Sequence, residues 1–152
     1  MPPSETPYLV DTNLLLRFSQ QSDPQYTTAF QAIQKLDSAG MILYVTSQNF
    51  MEFWNVATRP ANRNGFGLTP QQAEMKIQVL ERQFIRLPDT DSIFDKWREL
   101  SLKFNVSGVQ VHDTRLVASM LVHNITYILT FNTADFNRFA SEGIVPIDPA
   151  TI

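Results

Sequence analysis

Four acidic residues stand out by what precedes them in the chain. Asp11 closes the apolar run Tyr8 to Val10, and Glu52 lies a few residues beyond the branched and aromatic run Ile42 to Val45. Asp113 comes after a Ser107-Gly108 turn, and Asp135 comes soon after the run Tyr127 to Leu129. Carboxylates brought together repel one another, and divalent cations relieve that repulsion. The rest of the composition says which cations. There are no cysteines and only two histidines, His112 and His123, so neither a thiolate site nor an imidazole-rich site can be assembled. A metal would be held mainly by oxygen, which suits hard cations such as Mg²⁺ or Mn²⁺.

Taken singly, each acid has a plain structural alternative. Asp11 can cap a helix beginning at Asn13, and Asp113 can cap another. Asp135 can sit in a first helical turn, stabilised by the helix dipole. Glu52 can be a solvated helix residue, although Phe50, Phe53 and Trp54 surround it with apolar bulk. What sets the four apart is shared placement. In open α/β sheets ligands bind beyond the carboxyl ends of the strands, and three of the acids follow predicted strands there.

The elements that would position them can be read from periodicity and turn chemistry. The strand Tyr8 to Val10 leads into a short helix carrying Leu14, Leu15, Leu16 and Phe18. Asp23-Pro24 predicts a helix start, with Asp as cap and Pro first. Phe30, Ile33 and Leu36 keep helical spacing as far as a stop at Gly40. Ile42 to Val45 predicts a second strand, and Thr46-Ser47 caps a helix running to about Ala57. Residues 59–68, with one proline and two glycines, read as a loop. Thr69-Pro70 opens a helix with Met75, Val79 and Leu80 spaced for burial. Phe84 to Leu87 predicts a third strand. Thr90 or Asp91 caps a helix carrying Ile93, Phe94, Trp97 and Leu100. Asp113 to Val122 follows as a helix, then a strand at Tyr127 to Leu129. A short helix from Thr133 to Ala140 stops at Gly143, and Ile144 to Ile147 makes a last strand. Such alternation predicts an α/β fold with a mainly parallel central sheet covered on both faces. The polar, proline-rich residues 1–7 are expected to form a flexible N-terminal extension, with 8–152 a single domain. No long apolar run or signal-like start is present, so the expectation is no membrane span and a cytoplasmic protein. A net charge of −3 argues against binding nucleic acid through bulk positive charge.

The segments around the four acids resemble the PIN domain family and, within it, the VapC-type toxin nucleases of type II toxin–antitoxin pairs. The similarity is carried by Leu9-Val10-Asp11-Thr12-Asn13, by Glu52 in its aromatic-rich helix, by His112-Asp113-Thr114-Arg115-Leu116-Val117-Ala118 and by Thr130-Phe131-Asn132-Thr133-Ala134-Asp135-Phe136. Thr114 stands where the family usually has Ala, and residues 59–68 correspond to a stretch that varies among members. The resemblance implies a three-layer α/β/α fold and a metal-dependent endoribonuclease acting on single-stranded RNA. It also implies a small antitoxin partner and a homodimer. Asp11 and Asp113 would ligate metal directly, and Glu52 and Asp135 directly or through water. Thr12, Asn13, Thr130 and Asn132 would orient the ligands. Two cations ~3.5–4 Å apart would activate a water and stabilise the leaving oxygen. Arg17, Arg59, Arg63 and Arg115 are candidate RNA phosphate contacts, each expected near a strand-end loop or a helix start. A phosphatase with an Asp after its first strand would need a second Asp where Asn13 stands. A binding scaffold of the same fold and a housekeeping RNA-processing nuclease stay open as alternatives.

Overall fold

The computed structural model describes residues 2–152. Five strands form one parallel sheet: β1 (Pro7–Val10), β2 (Ile42–Val45), β3 (Ile85–Arg86), β4 (Tyr127–Leu129) and β5 (Val145–Ile147), in the order β3-β2-β1-β4-β5. Six α-helices connect them: α1 (Thr12–Phe18), α2 (Tyr26–Ser38), α3 (Ser47–Thr58), α4 (Pro70–Gln83), α5 (Asp91–Lys103) and α6 (Gln110–Val122). A run of 3₁₀ turns, Thr133–Glu142, follows β4. The chain first builds outward from β1 through β2 to β3, then returns to the other side of β1 with β4. The sheet order therefore reverses beside β1, the place where α/β sheets open a crevice.

Side chains alternate across a strand. Tyr8 and Val10 of β1, Leu43 and Val45 of β2 and Leu129 of β4 share one core with α1 to α4. Leu9 and Ile128 point the other way, into a core with Leu100 of α5, Leu116 and Val117 of α6, and Phe136 and Phe139 of the 3₁₀ run. The result is three layers, α/β/α. Tyr8 pairs with Tyr127 across the β1–β4 ladder and their rings stack at 5.1 Å. Phe136 and Phe139 are both 1% exposed. Their three-residue spacing puts them on one face of a helix with three residues per turn, which suits the 3₁₀ form better than the α form.

Several expected details differ. The second helix starts at Tyr26, not at Pro24. Asp23 instead uses one carboxylate oxygen to accept the Gln25 amide at 2.8 Å and the other to pair with Arg17 at 3.0 Å, closing a turn before the helix. The buried face of α4 is Ala73, Ile77 and Leu80, whereas Met75 and Val79 are 66% and 56% exposed. Apolar residues at helical spacing occur on two faces of this helix, and the small Ala73 marks the side that approaches α3. In α5, Phe94 is exposed while Ile93 and Leu100 are buried. β3 is only two residues long, and both are exposed; the flanking Phe84 and Leu87 turn into the core. Helix α6 begins at Gln110, three residues before Asp113. Of residues 1–7, Met1 lies outside the described residues. Pro7 opens β1, and the Glu5 amide donates to the Gly40 carbonyl at 2.8 Å. Among the described residues no helix is long and apolar enough to cross a membrane.

The two faces of α4 separate in mutagenesis. Ile77→Ala is expected to cost about 2–5 kcal/mol of unfolding free energy, as for a large buried aliphatic side chain. Met75→Ala should stay within about 0.5 kcal/mol. Denaturant unfolding of both variants checks the assignment, and equal losses would contradict it.

Candidate carboxylate active site

Asp11 is the residue at which β1 ends. Its amide donates to the Leu129 carbonyl at 3.0 Å, so the ladder with β4 runs one residue past the strand and holds the Asp11 backbone. One carboxylate oxygen accepts the Thr12 amide at 2.8 Å. The other accepts the Thr130 hydroxyl at 2.8 Å and the Asn13 side-chain amide at 3.3 Å. Asp11 therefore caps α1 and faces the sheet edge at the same time; the capping alternative and the site role do not compete. Thr130 is fully buried, and its oxygen also receives the Asn132 backbone amide at 3.0 Å. Asn132 contributes that amide, while Asn13 spans the crevice and accepts the Phe131 amide at 3.3 Å.

Glu52 is placed by the start of α3. Thr46 and Asn49 form a reciprocal capping box, with the Thr46 backbone amide donating to Asn49 Oδ1 at 2.8 Å and the Asn49 backbone amide donating to Thr46 Oγ1 at 3.1 Å. The Asn49 side-chain amide then donates to Thr12 Oγ1 at 3.0 Å, and Thr12 Oγ1 donates to Glu52 Oε1 at 2.8 Å. Gln48, one turn before Glu52, reaches Glu52 Oε2 at 3.4 Å and the His112 carbonyl at 2.8 Å. The His112 ring itself lies on the surface. Asp113 is in the first turn of α6 rather than at its cap, and Asp135 is in the first turn of the 3₁₀ run. Both line a cavity of about 440 Å³ with Val109, Gln110, Thr114 and Arg138. The buried Thr114 satisfies its hydroxyl on the Gln110 carbonyl at 2.8 Å.

Electrostatics tie the four acids together. Burial pushes the Asp11 carboxyl up to about 6, opposed by its hydrogen bonds from Thr130 and Thr12 and reinforced by the charges of Glu52 and Asp135. Burial also pushes Asp113 up to about 7, helped by the charges of Asp11, Asp135 and Glu52. Each of the two is thus raised by the charges of the other acids. Among the described residues no three acidic or imidazole side chains converge closely enough, as they stand, to enclose an ion. The donor set is all oxygen, which fits Mg²⁺ or Mn²⁺.

The candidate RNA-contacting arginines are distributed unevenly. Arg115 is joined to the site, donating to Gln48 Oε1 at 3.2 Å and pairing with Asp89 at 3.3 Å. Arg17 sits in the last turn of α1 and Arg59 caps the C-terminal end of α3, so neither stands at a helix start. A helix that follows a parallel strand runs back along the sheet, which carries its last turn away from the strand end. Arg63 is exposed in a short 3₁₀ turn of the 59–68 loop. Gln48, Asn49 and Arg138 are site neighbours that the sequence expectations omitted. The available signal was spacing: Gln48 precedes Glu52 by four residues, and Arg138 follows Asp135 by three.

The PIN domain family model matches residues 8–142. A comparison with curated proteins found no match. Solved structures of similar fold include VapBC2 from Rickettsia felis, with a TM-score of 0.69 at 11% identity, covering 94% of this chain and 98% of that one. VapBC-1 from nontypeable Haemophilus influenzae gives 0.69 at 16% identity, over 95% and 98% of the two chains. VapC20 from Mycobacterium tuberculosis, described as a sarcin-ricin loop cleaving toxin, gives 0.62 at 15% identity, over 91% and 96%.

The raised carboxyls have a consequence for stability. Asp11 and Asp113 bind protons more tightly in the folded chain than in the unfolded one, so their favourable contribution to folding is fully present below about pH 4. Their contribution falls as pH rises from about 4 towards 7, and above that range the full repulsion remains. Asp113→Asn removes one charge at nearly constant shape. In chelator its Tm is expected to exceed that of the parent by about 2–4 °C at pH 8 and to match it at pH 4. Calorimetry at the two pH values checks this, and an identical shift at both would contradict the electrostatic account.

Proposed function

Because the chain belongs to the PIN domain family, we propose that its carboxylate edge is the catalytic centre of a Mg²⁺- or Mn²⁺-dependent endoribonuclease acting on single-stranded RNA. The observation that carries this reading is that Asp11 and Asp113 are both raised by burial and by the charges of Glu52 and Asp135, which puts the four acids within electrostatic reach of one another. Asp11 and Asp113 would hold the cation directly, and Glu52 and Asp135 directly or through water. Cations held there, two of them in the reading favoured here, would supply the positive charge that polarises a phosphate and activates a water for in-line cleavage.

The chain's own part is orientation. Thr130 and the Thr12 amide fix both oxygens of Asp11, and Thr12 and Gln48 fix both oxygens of Glu52. Holding donors in place before the reaction avoids reorganisation during it. The cavity beside Asp113 and Asp135 gives a substrate strand room to approach. All four acids are present, which disfavours a non-catalytic scaffold. The fold similarity to VapC20 and to the two VapBC structures supports a narrower reading. In it the protein is the toxin of a toxin–antitoxin pair, acts as a homodimer and is held by a small antitoxin.

Purified protein is expected to cleave single-stranded RNA with Mg²⁺ or Mn²⁺ and to stop on addition of chelator. Cleavage that persists in chelator would overturn the metal-dependent mechanism. Asp11→Asn and Asp113→Asn should abolish cleavage with circular dichroism unchanged, and Thr130→Val should slow it about 10–100-fold through loss of Asp11 orientation. Expression of the parent should arrest host growth, and the two Asn variants should not. Growth arrest by the inactive variants would remove the toxin reading while leaving the nuclease reading to the cleavage assay.

A further inference from the structure

The cavity beside Asp113 and Asp135 contains one cation whose charge is not neutralised. Arg17 pairs with Asp23, Arg115 with Asp89 and Lys103 with Glu142, but among the described residues Arg138 pairs with no carboxylate. It is nevertheless held in place. One guanidinium nitrogen donates to Gln110 Oε1, another donates to the Phe104 carbonyl at 2.7 Å, and the group lies over the Phe139 ring at 5.8 Å. All of these partners are neutral. The guanidinium is therefore held by neutral partners and exposed, in the wall of a cavity whose other charged members are acids. A guanidinium has five donors, and two are engaged here, which leaves others for a ligand.

Its position relative to the acids is set by the 3₁₀ run. Asp135 and Arg138 are three residues apart, and in a 3₁₀ helix positions i and i+3 eclipse, separated by about 6 Å of rise. Asp135 and Arg138 thus lie on the same side of the run, and both line the cavity. We propose that Arg138, held by Gln110 and the Phe104 carbonyl, binds the non-scissile phosphate next to the one that meets the carboxylates, and so sets the register of the RNA strand in this cavity. The inference rests on the nuclease reading above for its substrate class. A pre-ordered fork loses little freedom on binding, and Arg matches phosphate geometry better than Lys does. A phosphate contact adds affinity without regard to base, so Arg138 tightens binding equally across sequences.

The test is equilibrium binding of a fluorescein-labelled single-stranded oligoribonucleotide, read by anisotropy, with Ca²⁺ replacing Mg²⁺ so that affinity is measured apart from turnover. Arg138→Gln is expected to weaken binding about tenfold and to reduce the slope of log affinity against log salt by about 0.7, the value for one phosphate contact on a single strand. Oligonucleotides of different sequence should lose affinity alike. Arg138→Lys should restore the slope and only part of the affinity, a pattern that a merely structural role would not produce. Val109, which is 83% exposed on the same cavity wall, supplies variants that do not touch the packing. Val109→Lys should tighten binding and Val109→Glu should weaken it. A folded Arg138→Gln protein with unchanged affinity and slope would overturn the proposal. Should that variant not fold, unchanged affinity in both Val109 variants would overturn it instead. Parent protein that binds the oligonucleotide but never cleaves it with Mg²⁺ or Mn²⁺ would sink the nuclease reading while the Arg138 contact is still read by binding. Parent protein that neither binds nor cleaves would sink both.

Discussion

The end of β1 places a carboxylate where burial opposes its charge, and much of the surrounding architecture can be understood as managing that fact. Asp11 is 7% exposed, and an unpaired charge so placed is costly. Its two oxygens are met by a backbone amide, a buried hydroxyl and a side-chain amide, drawn from both sides of the sheet's reversal point. The β4 strand must be in register for Thr130 to arrive, and α1 must start at Thr12 for the amide to point inward. Strand pairing, helix capping and electrostatics therefore meet in one residue. The other acids add to the load, and a hard cation would be the natural counterweight.

The network around Glu52 has a similar economy. Asn49 of the capping box that starts α3 donates its side-chain amide to Thr12 Oγ1, and Thr12 Oγ1 in turn donates a hydrogen bond to Glu52. Groups that satisfy the free amides of a helix start also aim a carboxylate forty residues from its partner. Changes at Thr46 or Asn49 would therefore reach the site as well as the helix, because no separate set of bonds serves each.

Much of this was readable from residue types and order, and the failures are instructive. Asp11 was legible because an apolar run stops at it. Asp135 and Thr130 were legible because they follow β4 closely. The strands themselves, short and apolar, were placed to within a residue at each end, including β3, where only Ile85 and Arg86 enter the ladder. The buried side of α4 was not legible, since Met75, Val79 and Leu80 form as good a stripe as Ala73, Ile77 and Leu80; only the packed neighbour decides. Gln48 was hidden for a different reason. Its value lies in reaching the carbonyl of His112, 64 residues away, and no local pattern encodes that meeting. The arginines show the same limit. Nearness to a strand end along the chain does not say which end of the following helix a side chain occupies, and Arg17 and Arg59 fall at the far ends.

The order of the strands also bears on the protein's synthesis. β1 lies between β2 and β4, yet β4 and the turns carrying Asp135 come from the last quarter of the chain. A ribosome delivers the N-terminal part first. The half of the sheet formed by β1, β2 and β3 can be made while Asp11 still lacks the Thr130 hydroxyl and while Asp135 has not yet been translated. The acid constellation is thus completed only after the segments that form β1, β2 and β3 have been made.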